Sequence, residues 1–417
     1  MKVYLVGGAV RDSLLGRDVH DRDYVVVGAT HEQMIEKGFT QVGAAFPVYL
    51  HPETKEEYAL ARTERKTGKG HTDFETFFSP DVTLEEDLSR RDLTINAMAM
   101  DIETGEIIDP FNGRADIKFK TLRHTSKAFM DDPLRILRLY RFKAQLGNDW
   151  RVAKETQRLV FNNRHGLAHI SPERKWKEME KALNSYNFRS YAEAMAMLGE
   201  LPELDALRGV TQPAEHHPEG DAFVHTLLCL DQADQYFCSP EVKFSVLCHD
   251  FGKAITFRKH GNLVGHEEAG LEPVRTLCER IRVPNDFRDI ALYVTEQHTR
   301  VHCIIGRDGQ NGAKPRSVMK IFEAAGNVTS CKSHDKVFAL ADACWCDARG
   351  RGPTHAEDEY LQGHMLINTF ESMLMVNTKE VSTKLLEKGK SGKEIGEAIR
   401  VARIDGIRKA LKGEILW

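Results

Sequence analysis

Gly7-Gly8-Ala9-Val10-Arg11-Asp12, then Asp21-Arg22-Asp23, then Tyr24-Val25-Val26-Val27 is the stretch on which the reading of this chain turns. Val3–Val6 reads as a strand, Ala9–Leu15 as a short helix and Tyr24–Val27 as a second strand. Glycines at a strand-to-helix turn let backbone N–H groups approach a phosphate closely, and the helix N-terminus adds its positive end. Arg11, one turn in, is placed to clamp a phosphate oxygen bidentately. Asp21 and Asp23 are two residues apart, so on a strand they share a face. Their carboxylates can converge on hard cations such as Mg²⁺, and two such ions ~3.5–4 Å apart flank a transferring phosphorus. Gly-Gly alone is a turn, and Asp-x-Asp alone also fits a solvated strand entry. The combination, closed by the buried run Val25–Val27, is far more specific.

The stretch opens a chain of 417 residues, enough for two to four domains at roughly 100–200 residues each. To about residue 131, short apolar runs alternate with turn signals; Gln41–Leu50 and Glu57–Ala61 suggest further strands, and Ile107–Ile108 precedes the turn at 109–113. From Asp132 apolar residues recur at helical intervals, and Pro172 starts another helix. Pro202, Pro213 and Pro218, with His216-His217, mark a linker; a second helical region runs from about Asp221 to the end, its loops marked by Gly261, Gly265, Gly306–Gly312 and Gly350–Pro353. The expected organisation is a mixed α/β head at 1–131, an all-α neck and body at 132–215, an all-α metal-binding domain at 216–350 and a helical tail at 351–417.

No run approaches the ~18 apolar residues of a membrane span, and Arg11 and Asp12 come too early for a signal peptide. All eight cysteines lie between Cys229 and Cys346 of a long chain, which points to reduced thiols and a cytoplasmic protein. Cys344-Trp345-Cys346 lacks the spacing of a zinc site. Net charge is −4, yet Lys118 to Lys181 holds 16 Lys/Arg against 7 Asp/Glu. That excess suggests a phosphate-rich partner, though a solvated helical face accounts for it as well.

Two further clusters extend the first. In Arg90-Arg91-Asp92-Leu93-Thr94-Ile95-Asn96-Ala97, Asp92 is read as the cap of an apolar helix and Asn96 as a buried amide, leaving Arg91 to reach a phosphate or sugar. In Asp131-Asp132-Pro133-Leu134-Arg135-Ile136-Leu137-Arg138, Asp132 fits an N-cap and Pro133 the first helical residue. Asp132 and Arg135, three apart, also share a face on which an acceptor and a donor can pair with a base edge. Arg138 extends that face toward a phosphate.

The second half holds a different constellation. His225 lies in a helical stretch, and Leu247-Cys248-His249-Asp250-Phe251-Gly252-Lys253 buries an adjacent His-Asp among apolar residues, which is costly without a partner. Imidazole with carboxylate suits Ni²⁺ or another transition metal that activates water. Leu247–Lys253 resembles the motif of the HD phosphohydrolase superfamily, and that resemblance implies a last ligand at Asp347, with Asp342 its rival, and extra histidines at His266 and His298. Gly389-Lys390-Ser391 is not a P-loop, because Lys384 stands where that motif needs glycine.

The head motifs resemble the class II nucleotidyltransferases of the DNA polymerase beta superfamily, which include bacterial CCA-adding enzymes and poly(A) polymerases. This resemblance implies that Asp21 and Asp23 are catalytic Mg²⁺ ligands and that Gly8, Arg11, Arg91, Asp132, Arg135 and Arg138 bind ATP or CTP. The "EDxxR" pattern of that family has Asp131 in place of its Glu here. His225, His249, Asp250 and Asp347 resemble the HD phosphohydrolase pattern. Nearly the whole chain is similar to bacterial CCA-adding tRNA nucleotidyltransferases with an HD domain. That implies CCA addition to tRNA 3′ ends from CTP and ATP, phosphatase, 2′-nucleotidase and 2′,3′-cyclic phosphodiesterase activities, no membrane partner, and a monomer or weak homodimer. A poly(A) polymerase, or an HD phosphohydrolase whose first half only binds RNA, are the alternatives.

Overall fold

The computed structural model describes all residues except His20, 43–47, 67–73, 307–311, Pro353 and 415–417. Parts of the strand expected over Gln41–Leu50 and of the loops expected at Gly306–Gly312 and Gly350–Pro353 therefore lie outside the described residues. The chain divides into two compact units, Met1–Met179 and Glu180–Trp417. The segment read as 132–215 is shared between them, and the stretch after 350 belongs to the second unit.

Among the described residues the first unit has eleven strands: β1 (Lys2–Val6), β2 (Asp23–Val27), β3 (Thr40–Val42), β4 (Val48–Leu50), β5 (Glu57–Leu60), β6 (Arg62–Lys66), β7 (Phe74–Phe78), β8 (Ala99–Asp101), β9 (Ile107–Ile108), and the short parallel pair β10 (Thr121–Leu122) and β11 (Arg151–Val152). Seven form one mixed sheet in the order β3-β4-β5-β2-β1-β8-β9, and β6 pairs with β7 apart from it. Alternation along β1 sorts its side chains by face. Leu5 packs with Ala9, Val10 and Met98, while Tyr4 and Val6 pack with Val25, Leu88 and Ala97 on the other side. Each such buried side chain contributes about 1.5–3 kcal/mol, which fixes the helix Gly8–Leu14 against the sheet.

Two local expectations meet the structure differently. The apolar helix expected after Asp92 is a single 3-10 turn, Thr94–Asn96. Leu93 is extended, the Asp92 carboxylate accepts from Leu93 N and Asn96 Nδ2, and Ala99 already enters β8. At the third motif Pro133, expected as the first helical residue, stands at the N-cap of the helix Leu134–Leu146, and Asp132, one residue earlier, accepts from Leu134 N through Oδ1 at 3.0 Å.

The second unit forms no strand among the described residues. Its helices include Ala222–Gln235, Pro240–Cys248, Gly252–His260, His266–Ala269, Asn285–His302 and Cys331–Arg349. Asp221 caps the first by accepting from Phe223 N and Val224 N. Pro202, read as part of a linker, opens the short helix Pro202–Asp205, as proline does at a first helical position. The segment between Thr211 and Asp221 is closed by a bridge between those two residues and by Gln212 N donating to Gly220 O. Among the described residues no helix is long and apolar enough to cross a membrane, and all eight cysteines are free.

Candidate functional sites

In the first unit, register brings the first motif together. Val6 pairs with Asp23 across β1 and β2, so the first acid-bearing strand residue stands beside the Gly7-Gly8 turn. Gly7 has φ +71°, and a Cβ there would stand 3.1 Å from Arg91 Nη1. The positive φ favours glycine, and a side chain there would also crowd the guanidinium. Partial burial raises the Asp23 carboxyl above its usual value; Arg91 opposes the shift and the neighbouring charge of Asp21 adds to it. Two exposed acids in one field beside a glycine turn are a hard-oxygen donor set that fits divalent cations.

The arginines are held from behind. Arg90 and Arg91 both pair with Asp87, which is buried. Arg11 turns its bidentate edge to Asp12, at 2.9 and 2.8 Å, and donates from Nη1 to Asn96 Oδ1 at 2.7 Å. Asn96 is thus the buried amide expected, and it joins the first motif to the second. Arg138 joins the second to the third through Asp92. Burial would raise the Asp92 carboxyl, but Arg138, Asn96 and the Leu93 amide together hold it at about 2. Asp132 pairs with Arg174 at 2.7 Å, and Arg135 donates to Ala128 O at 2.7 Å. Asp87 and Arg174 as supports had no signal in sequence beyond their residue type.

The second unit gathers the expected histidines and acids from five helices or their ends. His225 Nε2 lies 3.0 Å from Asp347 Oδ1 and 3.7 Å from Asp250 Oδ2, and His249 Nε2 lies 3.2 Å from Asp250 Oδ2. On the other side of the same carboxylate, Asp250 Oδ1 lies 3.4 Å from His266 Nε2 and 3.8 Å from His298 Nε2, which are 3.2 Å from each other. Ligand atoms that share an ion at ~2.1 Å stand roughly 3.0–3.5 Å apart, so these groups lie at or a few tenths of an ångström beyond the spacing of a shared cation, with Asp250 between the two sides. Asp250 Oδ1 and His249 Nε2 are buried and have no hydrogen-bond partner. Leaving such atoms unsatisfied is costly, and a bound cation removes the cost. Burial, with His249 and His266 alongside, keeps His298 well below the usual imidazole range, in the neutral form that ligates metal. Cys229 Sγ, 3.4 Å from His225 Nε2, joins the first set. Asp342 is not among these groups; it lines a separate cavity with Asp286 and Lys336.

Residues around the ligands orient them. Glu219 Oε1 accepts from His225 Nδ1 at 2.7 Å and His217 Nδ1 at 2.8 Å, which turns His225 Nε2 inward. Lys253 Nζ lies 2.6 Å from Asp250 Oδ2 and donates to Gln212 Oε1 at 2.7 Å. His302 Nε2 lies 2.7 Å from Asp347 Oδ2, with Tyr360 OH 2.8 Å from its Nδ1. Sequence reading missed Glu219, Gln212 and Tyr360, which carry no motif; His302, four residues after His298 on one helix, had a usable spacing.

Residues 3–123 match the family described as the Poly A polymerase head domain. Among solved structures, the chain is similar to a Bacillus stearothermophilus CCA-adding enzyme in complex with CTP: 24% identity, 99% of this chain and 89% of that one, TM-score 0.60. It is similar also to a Thermotoga maritima CCA-adding enzyme complexed with tRNA, at 21% identity, 99% and 92% coverage and TM-score 0.60. A third is a CCA-adding enzyme in complex with ATP, at 22% identity, 100% and 89% coverage and TM-score 0.61. The chain thus carries a nucleotidyltransferase-type α/β head followed by a helical region, and its fold is the one found in CCA-adding enzymes.

Proposed function

We propose that this protein adds CCA to tRNA 3′ ends and that its second unit hydrolyses phosphoesters. The observation that supports the first activity most is the register that pairs Val6 with Asp23, beside the Gly7-Gly8 turn, with Arg91 and the charge of Asp21 acting on the Asp23 carboxyl. The tRNA 3′-oxygen attacks the α-phosphorus of CTP or ATP, the bond to the β-phosphate oxygen breaks, and pyrophosphate leaves. Asp21 and Asp23 would hold divalent ions such as Mg²⁺, which would lower the pKa of the attacking hydroxyl and neutralise the leaving group. The turn of Gly7-Gly8 presents amides to the triphosphate, with Gly8, Arg11 and Arg91 around it. Asp132 and Arg135 select the base, and Arg138 supports them through Asp92. The positive stretch from Lys118 to Lys181 receives the acceptor-arm phosphates.

Support for hydrolysis comes from two adjoining buried sets, His225, Cys229, His249 and Asp347, and Asp250, His266 and His298. These residues would hold a transition-metal ion such as Ni²⁺, which would supply activation of water. Lys253 balances Asp250, while Glu219 and His302 fix the ligands' orientation. We place the protein in the cytoplasm, as a monomer or weak homodimer.

The test is to incubate tRNA ending before CCA with CTP alone, ATP alone and both, and to sequence the 3′ ends. CC with CTP alone and CCA with both sustains the reading. A run of A from ATP alone makes it a poly(A) polymerase, and no extension leaves only the hydrolase half.

A further inference from the structure

Two of the eight cysteines face each other across two helices of the second unit. Cys238 Sγ lies 3.8 Å from Cys346 Sγ, with no disulfide between them. Cys238 is partly buried and Cys346 fully so, which leaves one sulfur open to a small solute and the other behind it. Local packing holds the pair. Phe237, at φ +55°, ends the helix Ala222–Gln235, and Cys238 N donates back to Ala233 O at 3.0 Å. Beside the thiols the rings of Tyr236 and Trp345 meet at 4.0 Å, and Arg349 donates to Tyr236 OH at 2.8 Å. The same two segments carry metal ligands. The first helix bears His225, and Cys346 directly precedes Asp347, whose Oδ1 lies 3.0 Å from His225 Nε2. The Cys346 thiol donates to Cys238 and lowers it below the usual thiol range. An accessible thiol leaning toward thiolate, with a second thiol at hand to resolve it, is the arrangement of a redox-sensitive pair.

We propose that Cys238 and Cys346 are a modification site, which a peroxide closes into a disulfide that loosens the metal-binding set beside it. Cys238 sulfur attacks hydrogen peroxide, the O–O bond breaks, and a sulfenic acid and hydroxide form. Cys346 sulfur then attacks Cys238 sulfur, the S–O bond breaks, and the oxygen leaves as water with the thiol proton. In sum, two thiols and one peroxide give one disulfide and two waters, and a dithiol reductant reverses the change. An S–S bond is about 2.05 Å long, so the sulfurs approach by about 1.8 Å. The helices cannot simply close on each other, because a Cβ on Gly350 would already stand 2.3 Å from Cys229 Sγ. The shift falls on Cys346 and its neighbour Asp347, and disturbs the contacts of that carboxylate with His225 and His302.

The effect on metal rests on the metal-binding reading above; the disulfide itself does not. The full chain is treated with hydrogen peroxide, its remaining thiols are blocked, and its peptides are mapped by mass spectrometry without reductant. A peptide pair joined at Cys238 and Cys346, and lost after dithiothreitol, is expected. Equilibrium dialysis with Ni²⁺ then shows about tenfold weaker binding in the oxidised protein, the scale of losing a ligand's support, and dithiothreitol restores it. Cys238→Ser binds as the reduced wild type does, before and after peroxide. Absence of the joined peptide overturns the site. A joined peptide with unchanged Ni²⁺ binding, or an equal loss in Cys238→Ser, overturns its hold on the metal set. Should the reduced wild type retain no Ni²⁺, the metal-binding reading falls and the effect on metal with it, while the mapped peptide still decides the disulfide.

Discussion

Arg138 donates from both Nε and Nη2 to one oxygen of Asp92, at 2.8 and 2.7 Å. This pair ties the helix Leu134–Leu146 to the 3-10 turn that carries Asn96, and through Asn96 to Arg11. Asp92 is buried while Arg138 is partly exposed, so removing Arg138 leaves an unpaired buried carboxylate at a cost toward or below the low end of the about 3–5 kcal/mol of a fully buried pair. Arg138→Met should therefore destabilise the first unit by about that amount. Amide exchange at Leu93–Asn96 measures it; unchanged protection would show the pair to be dispensable.

Asp92 also sets an acid limit. Its carboxyl is held at about 2 in the folded protein against an ordinary value near 3.8. Its contribution is complete above the ordinary value and disappears as pH falls toward 2, a loss of about 2 kcal/mol. Denaturation at pH 5 and at pH 2.5 should show this slope, and Asp92→Asn should flatten it. An equal slope in both proteins would assign the acid sensitivity elsewhere.

Asp21→Ala and Asp23→Ala should each lower CTP incorporation by at least about a thousandfold, since catalysis here is positioning and charge stabilisation. Hydrolysis of a 2′,3′-cyclic nucleotide, carried by the second unit, should stay within about twofold. Loss of both activities would undo the assignment of two independent sites.

Gly252 explains the glycine in its motif. A Cβ there would stand 1.9 Å from His266 O and 2.6 Å from Gly270 N, both backbone atoms that cannot swing aside. Gly252→Ala should push the helix Gly252–His260 from His266, lower Tm by several degrees and reduce hydrolysis more than tenfold, on the scale of overpacking at about 1–3 kcal/mol. CTP incorporation serves as the control. Full hydrolysis in the variant would mean that His266 is not required.

Glu219 and the two rival acids separate orientation from ligation. Glu219→Ala should weaken metal affinity about 10–100-fold by freeing His225, read by equilibrium dialysis with Ni²⁺. Asp347→Asn should bind still less, and Asp342→Asn should bind as the wild type does, because Asp342 lies outside the cluster. Weakened binding in Asp342→Asn alone would reverse that assignment.

What the sequence determined by itself was everything local. The strand-helix-strand at Val3–Val27 follows from apolar period and glycine position, the Asp132 hydrogen bond at the head of its helix from one residue's chemistry, and the His249-Asp250 pair from the cost of burying it unpartnered. Asp347 was preferred over Asp342 on local context, but only packing against the helix of His225 brings its carboxylate to the site. The same holds for Asp92, which local rules made a helix cap. A charge 46 residues away in sequence, Arg138, claims it instead, and the helix gives way to a 3-10 turn. Glu219 and Gln212 sit in a proline-bearing segment with no period, and only the fold of 211–221 turns them onto His225 and Lys253. Periodicity and capping are near-neighbour physics; ion pairs and ligand sets are chosen by distances in space, which the order of residues does not state.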